Sequence, residues 1–209
     1  MIPNGVDTAQ FSPTVRLARR KEARDRRNLE EKDFVLLLIG NDWRVKGLET
    51  VLRAICALRP LPLQILVVGS ESADVFSQLA RQLGIPDRCR FEPPRGDVLD
   101  FYAAADLYVS PSLEDSFGLP VAEAMACGLP VITSPLAGVS ELIQNGVDGF
   151  VLSDPRDSQE LARLLERLSQ DSELKARIGS AAAKRAAAWT WDCHEAAVWE
   201  LLQSVVLTQ

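Results

Sequence analysis

The sequence predicts an α/β fold of the doubly wound type, in which helices cover both faces of a parallel β-sheet and further helices follow at the C-terminus. The first observation is a set of short runs that are apolar at nearly every position, at 34–40, 63–69, 107–110 and 130–133. Such runs are typical of strands buried on both faces, as in a parallel sheet. The second observation is that helical patterns separate these runs, and alternation of strand and helix is the sequence form of this fold.

The remaining elements follow in order. Residues 1–13 contain Asn4-Gly5 and two prolines, which favour turns and interrupt helices, so we expect a linker that enters the domain. A polar helix is expected at about 14–32. The patterns between the strand runs predict helices at 48–58, 74–83, 98–105 and 119–127. Short additional strands are expected at 89–91 and 149–151. Leucines at helical spacing, then an Ala-rich segment and residues 191–206, predict a helical tail from Ser158.

Composition and charge exclude several classes of protein. The 209 residues are 47% hydrophobic and 25% charged, which is ordinary for a globular protein, and the formal net charge is −6. A mildly acidic chain is unsuited to a nucleic-acid backbone, where positive charge supplies most of the affinity. The one basic run, 16–27, is interleaved with acidic residues, so we expect a solvated surface segment. No apolar run reaches the roughly 18 residues that predict a membrane span.

The four cysteines and the single histidine predict no metal site. Cys56, Cys89, Cys127 and Cys193 are widely spaced without a CxxC pair, and His194 lies beside only one of them, so zinc is not expected. Scattered thiols in an α/β chain predict reduced, buried side chains and a cytoplasmic location. The first residues lack the basic and apolar regions of a signal peptide.

Glu123 is the first candidate functional residue. Ligands of open parallel sheets bind beyond the carboxyl ends of the strands, so function is expected in the loops that follow the strand runs. Glu123 and Glu141 are the only charged residues between positions 119 and 143. A lone carboxylate in an apolar helix needs a partner if it is buried. The residues alone leave three interpretations open: a partly exposed position on the rim of the sheet, a hydrogen bond to a backbone amide, or contact with a vicinal diol such as a ribose.

The loop before this helix predicts an anion-binding element. Residues 116–118 would present free backbone N–H groups at a helix N-terminus, whose partial positive charge suits a phosphate or the polar rim of a sugar. Gly118 would allow a ligand to approach the backbone closely. Asp115 could accept hydrogen bonds from sugar hydroxyls, although its residue type alone favours an N-terminal cap.

Two other loops contain cations or glycines. Arg44 and Lys46 follow the first strand run and are expected at the same edge, where they could neutralise a departing diphosphate. Each of them alone is more typical of a solvated surface cation. Gly138 could bring backbone amides to a ligand. The chain contains neither GxGxxG nor GxxxxGK[ST], which disfavours a dinucleotide dehydrogenase and a P-loop enzyme.

Five segments, in this order, resemble the donor-binding half of the GT-B glycosyltransferases, in particular the GT4-like retaining family (glycosyl transferases group 1). The segments are PNGVD, IGNDWRVKG, ADLYVSPS, DSFGLPVAEAMACGLPVI and GVSELIQNGVDGF. They are similar to the family's interdomain linker, phosphate loop, strand, E-x7-E motif and following backbone loop. The resemblance covers residues 3–150 and extends more loosely through Trp191. It implies a Rossmann-like, doubly wound sheet that forms one half of a GT-B fold.

The resemblance also implies residue roles. Glu123 matches the second acid of E-x7-E, which holds the ribose. Asp115 matches the first acid, near the reacting carbon of the donor sugar, and is one methylene shorter than the family's Glu. Lys46 matches the phosphate lysine, whereas Arg44 lies nearer to it than the family arginine does. The implied catalytic residues are Asp115 and Glu123, and the implied substrate-binding residues are Arg44, Lys46, Gly47, Glu114, Ser116, Phe117, Gly118, Leu119 and Gly138.

The implied activity is that of a hexosyltransferase-like enzyme that uses a nucleotide diphosphate sugar, retains the anomeric configuration and needs no metal or cofactor. The expected organisation is a linker remnant at 1–13, a donor-binding domain at 14–190 and a helix at 191–209 that packs on an N-terminal domain outside this chain. That domain would bind the acceptor, a sugar, lipid or metabolite, so this chain alone is expected to be inactive. Peripheral membrane contact of the full protein stays open.

Two other functions are compatible with these residues. A nucleotide-sugar epimerase or hydrolase on the same scaffold would share the donor site but would need further acid and base groups. A non-enzymatic α/β interaction module, in which the loops are only turns, would bind no nucleotide.

Overall fold

Parallel strands form the centre of the computed structural model, which describes residues 2–206. The six-stranded sheet has the order β3-β2-β1-β4-β5-β6, and every neighbouring pair is parallel. The strands are β1 (Phe34–Ile39), β2 (Leu63–Val68), β3 (Cys89–Glu92), β4 (Leu107–Ser110), β5 (Val131–Thr133) and β6 (Phe150–Val151). The four principal strand predictions and both short additional strands are therefore confirmed.

Helices connect and flank these strands in the predicted order. They are α1 (Pro13–Asp25), α2 (Leu48–Ala57), α3 (Asp74–Gln82), α4 (Leu99–Ala104), α5 (Leu119–Ala126), α6 (Ser158–Gln170), α7 (Ser172–Ala186) and α8 (Trp191–Val206), with 3-10 turns at Pro86–Arg88 and Gly138–Leu142. The prediction that the first helix reaches residue 32 was wrong. It ends at Asp25 because Asn28 adopts a positive φ of 48° and the amide of Leu29 turns back to the carbonyl of Arg24.

The sheet separates two hydrophobic cores. Side chains alternate between the two faces of a strand, so Val35 and Leu37 of β1 pack with α4 and α5, whereas Leu36 and Leu38 pack with α2 and α3. Helices α1 and α5 thus cover one face, and α2, α3 and α6 cover the other. This burial on both sides explains why the strand runs are apolar at nearly every position.

The chain leaves β1 and β4 toward opposite faces of the sheet. These two strands are neighbours, paired through Leu36 with Leu107 and Leu37 with Tyr108. The loop after β1 enters α2 on one face, and the loop after β4 enters α5 on the other. Such a divergence opens a crevice at the carboxyl ends of the strands, which is where open α/β sheets bind their ligands. We call this side of the sheet the carboxyl edge.

The two diverging loops contact each other closely. The amide of Leu113 donates to the carbonyl of Val45 at 2.7 Å, and Gly47, with φ 76°, lies directly against the carbonyl of Pro111. A Cβ at position 47 would collide with that carbonyl. Glycine is therefore required here both for the left-handed backbone and for the close approach of the loops.

A buried ionic cluster ties α1 to the sheet. Asp106, only 8% exposed, accepts from the guanidinium groups of Arg20 at 2.7 Å and Arg24 at 3.3 Å and from the amide of Val35 at 3.0 Å. Arg24 also donates to the carbonyl of Ala104. The expectation that the whole basic run is solvated was therefore wrong. Arg24 and Arg27 are buried, and their guanidinium groups donate to carboxylates and backbone carbonyls.

The thiols are free but not uniformly buried, in contrast to the prediction. Cys127 is buried, Cys56 and Cys89 are partly buried, and Cys193, in the first turn of α8, is exposed. Burial raises the pKa of both the Cys89 and Cys127 thiols to about 12. Among residues 2–206, no helix has the length and apolarity to cross a membrane.

Asp106→Ala is expected to lower the free energy of unfolding by about 3 kcal/mol, because the buried guanidinium of Arg24 then has no carboxylate partner. Urea denaturation measures the effect. The matched control is Asp25→Ala, which removes an exposed ion pair with Lys21 and should cost less than about 1 kcal/mol. Equal losses in the two variants would show that the Asp106 cluster does not anchor α1.

Gly47→Ala is expected to destabilise the chain by about 3 kcal/mol or more, since left-handed strain and a collision add together. Gly146→Ala is the control, because Gly146 has nearly the same φ, 77°, but no neighbouring atom within 4 Å. The Gly146→Ala variant should lose only the free energy needed to place an alanine in the left-handed region, about 1–2 kcal/mol. If the two variants unfold at the same urea concentration, the loop contact contributes nothing.

Candidate functional site

Lys46 and Asp115 meet in the crevice between the two diverging loops. Lys46 Nζ lies 2.6 Å from Asp115 Oδ2, and both side chains are largely buried, at 19% and 13% exposed. The lysine comes from the loop after β1 and the aspartate from the loop after β4, 69 residues apart in the chain. The predicted phosphate-binding cation and the predicted sugar-binding carboxylate therefore form an ion pair.

The backbone holds Asp115 in place. Its amide donates to the carbonyl of Leu136, and its carbonyl accepts from the amide of Gly138, both at 3.1 Å. Its side chain does not cap α5, whose N-cap is Gly118 without a side-chain hydrogen bond. The interpretation of Asp115 as a helix cap was therefore wrong, and the carboxylate lies in the crevice instead.

The N-terminus of α5 offers unpaired donors, as predicted. Among residues 2–206, the amides of Ser116, Phe117 and Gly118 donate to no protein acceptor. Gly118 adopts φ 88°, which only glycine accepts without strain, and Ser116 is exposed. Free N–H groups at a helix start attract anions. Phe117 contributes differently, because its side chain is buried and its carbonyl accepts from Val139.

Glu123 lies just over one turn into α5, on the side that the Tyr102 side chain of α4 reaches. The hydroxyl of Tyr102 donates to Glu123 Oε2 at 2.6 Å. Burial raises the pKa of the Glu123 carboxyl, and the Tyr102 hydrogen bond opposes that rise. Within the described residues no second group bonds this carboxylate, so Oε1 is available to a ligand. Glu123 is partly exposed, as in the rim interpretation, and its protein partner is a tyrosine hydroxyl rather than a backbone amide.

Other predicted site residues occupy different surroundings. Gly138 donates its amide to Asp115, and a Cβ there would collide with the Ser116 carbonyl, so this glycine sets the loop spacing and its own N–H is taken. Glu114 is exposed and Leu119 is partly buried at the first position of α5.

Arg44 is exposed and lines a separate cavity of about 450 Å³ between α2 and α3. Arg53, Arg156 and the predicted binding residue Gly47 also line this cavity, whereas Lys46, Asp115 and Glu123 do not. The structure therefore does not bring Arg44 together with the other predicted donor-binding side chains.

Two supporting residues were missed by the sequence reasoning. Trp43 is buried, donates from Nε1 to the carbonyl of Gly40 and packs against Phe91 with ring centroids 5.3 Å apart, which fixes the loop that presents Lys46. Tyr102 is the second. A buried tyrosine needs a hydroxyl partner, but nothing in the sequence indicates that this partner is Glu123.

The described residues contain no cluster of three or more histidine, cysteine, aspartate or glutamate side chains placed to hold a metal ion. The charged side chains predicted for the site and largely buried there are Lys46, Asp115 and Glu123. The nearby phenol of Tyr108 donates to the carbonyl of Ile39, and burial raises its pKa.

Comparison with known proteins gives the family. The model described as "Glycosyl transferases group 1" matches residues 19–185. The chain is 34% identical over 202 residues to a D-inositol 3-phosphate glycosyltransferase of Thermobifida fusca, and the match covers 90% of this chain and 45% of that protein. The chain thus spans about half the length of the curated relatives it matches.

Solved structures agree in fold. Anabaena Alr3699/HepE in complex with UDP and glucose superposes with a TM-score of 0.87 at 27% identity, over 97% of this chain and 56% of that one. The C-terminal domain of a glycosyl transferase group 1 family protein (LpcC) from Francisella tularensis gives 0.76 at 25% identity, over 87% of this chain and 96% of that domain. With its parallel sheet, its carboxyl-edge residues and these matches, the chain belongs to the glycosyl transferases group 1 family.

Proposed function

We propose that this chain is the donor-binding half of a retaining glycosyltransferase and that it binds a nucleotide diphosphate sugar without a metal ion. One observation supports the proposal most strongly: Lys46, the unpaired amides at the start of α5 and the carboxylate of Glu123 all lie at the carboxyl edge. A cation beside free N–H groups suits a diphosphate, and a carboxylate with an open oxygen suits a vicinal diol.

Each group then has a distinct role. Lys46 and the amides of 117–118 would bind the diphosphate and stabilise the negative charge that develops as it departs. Glu123 Oε1 would accept from the ribose hydroxyls. Asp115, which pairs with Lys46 in the free protein, would face the donor sugar. In this proposal, Lys46 provides the positive charge at the diphosphate that a metal ion would provide in a metal-dependent enzyme.

We further propose that a separate domain of the whole protein binds the acceptor. This is supported by the chain's coverage of only 45% of a curated relative and by the surface of α8. Large apolar side chains lie exposed along that helix, among them Trp199, Leu201, Leu202 and Val205. A contiguous apolar surface of this kind is typical of an interface. Sugar transfer by this chain alone is expected to be negligible, because catalysis needs both reactants held together.

Isothermal titration calorimetry of this chain with UDP, GDP and ADP tests the donor site. We expect one diphosphate to bind, with UDP tested first because Anabaena Alr3699/HepE was solved with it. Glu123→Ala should weaken binding by about ten- to a hundredfold, the value of hydrogen bonds to a charged group. Glu166→Ala, an exposed glutamate on α6, is the matched control and should bind as the unaltered chain does.

Two results would count against this function. Unchanged affinity in Glu123→Ala would remove the ribose role of Glu123. Binding of no diphosphate, either by this chain or by a longer protein that includes the preceding domain, would favour the non-enzymatic module.

Nucleotide affinity should also depend on pH through Glu123. The ribose contact needs the ionised carboxylate, and burial raises its pKa. Affinity is therefore expected to be full at neutral pH and to fall on acidification, with a midpoint above the usual pKa of a glutamate. Glu123→Gln, measured by the same calorimetry, should be weak throughout and lack this midpoint. An identical pH profile in the two proteins would assign the titration to another group.

A further inference from the structure

We infer that Tyr102 is a positioning residue of the donor site, which holds the Glu123 carboxylate in the orientation that receives the nucleotide's ribose. The inference rests on the proposed function. It starts from a contact between α4 and α5, the 2.6 Å hydrogen bond from the Tyr102 hydroxyl to Glu123 Oε2. Tyr102 itself is fully buried, so this residue touches the ligand only through the carboxylate.

The direction of the hydrogen bond follows from the chemistry of the two groups. Burial, together with the nearby carboxylate, raises the pKa of Tyr102 well above its usual value, so the phenol stays protonated and acts as the donor. Its other acceptor is the carbonyl of Pro120, at the longer distance of 3.3 Å. The shorter contact is to a charged acceptor, and such hydrogen bonds are the stronger ones.

The position of the hydroxyl is fixed by the packing of the ring. Phe11 meets the Tyr102 ring edge-on, with centroids 5.7 Å apart and planes at 89°, and Tyr108 lies 6.2 Å away on another side. Every residue of the short helix α4 is buried. A ring held in this way has one hydroxyl position, and the carboxylate bonded to it has one orientation.

In this arrangement the two carboxylate oxygens of Glu123 have different roles. Oε2 is held from the protein interior, and Oε1 is left without a protein partner among residues 2–206. A glutamate on a helix otherwise samples several rotamers, and binding would have to order it. By fixing the carboxylate in advance, Tyr102 removes this ordering cost, and its hydrogen bond opposes the rise that burial causes in the pKa of Glu123.

Tyr102→Phe is the variant that tests the inference, because it keeps the ring and its packing and removes only the hydroxyl. Tyr108→Phe is the matched control: Tyr108 is equally buried in the same aromatic cluster, but its hydroxyl donates to the carbonyl of Ile39. Two readouts are needed. One is the calorimetric affinity for the nucleoside diphosphate across pH, and the other is the pKa of Glu123, followed by carbon-13 NMR of its carboxyl carbon in the free protein.

We expect Tyr102→Phe to weaken nucleotide binding by roughly three- to tenfold, about half of the ten- to hundredfold loss in Glu123→Ala on a logarithmic scale. The Glu123 pKa should rise, so that the acid-induced loss of affinity begins at a higher pH. Tyr108→Phe should change neither quantity. A merely structural role of Tyr102 would lower stability but would leave the Glu123 pKa and the pH profile where they are.

The outcomes separate this inference from the proposed function. If the unaltered chain binds a diphosphate and Glu123→Ala loses it, while Tyr102→Phe keeps its affinity and its Glu123 pKa, the inference is overturned and the function stands. The same holds if Tyr108→Phe reproduces every effect of Tyr102→Phe, since the effects would then be general to the cluster. If no protein in the series binds any diphosphate, both fail together.

Discussion

The divergence of the chain after β1 and β4 is the constraint on which the site depends. These neighbouring strands end at the same edge, and their loops leave for opposite faces of the sheet. The loops must therefore pass each other, and they do so in contact, with Gly47 against the Pro111 carbonyl and Leu113 bonded to Val45. Lys46 and Asp115 meet because each lies beside this crossing. Topology, rather than local sequence, creates the charge pair at the centre of the site.

The ion pair between these residues has a consequence for ligand binding. In the free protein, Asp115 satisfies the charge of Lys46 at 2.6 Å. A diphosphate that binds there has to compete with Asp115 for the ammonium group, and its greater negative charge together with the free amides of α5 favours the exchange. Asp115 is one methylene shorter than the glutamate that the family has at the matching position. The shorter side chain reaches less far toward a donor sugar than that glutamate would.

Much of this fold could be predicted from sequence because its strands are buried on both faces and read as continuous apolar runs, from β1 to β5. The loops that hold Lys46 and Gly118, and the start of the helix that holds Glu123, could be placed at one edge for the same reason. Side-chain partners could not be predicted. Arg24 looks like a surface residue in a charged run, yet it lies inside against Asp106, 82 residues away. Tyr102 meets Glu123 through a side-chain contact between two helices, 21 residues apart in the chain. Such pairs depend on how helices pack, which local periodicity does not encode.

The most direct test of the central claim is a crystal structure of this chain with the nucleoside diphosphate that it binds. We expect the diphosphate to lie within hydrogen-bonding distance of Lys46 Nζ and the amides of 117–118. The ribose hydroxyls should contact Glu123 Oε1, and the hydrogen bond between Tyr102 and Glu123 should be preserved. A nucleotide bound elsewhere, for example among the three arginines of the cavity between α2 and α3, with the Lys46–Asp115 pair untouched, would contradict it.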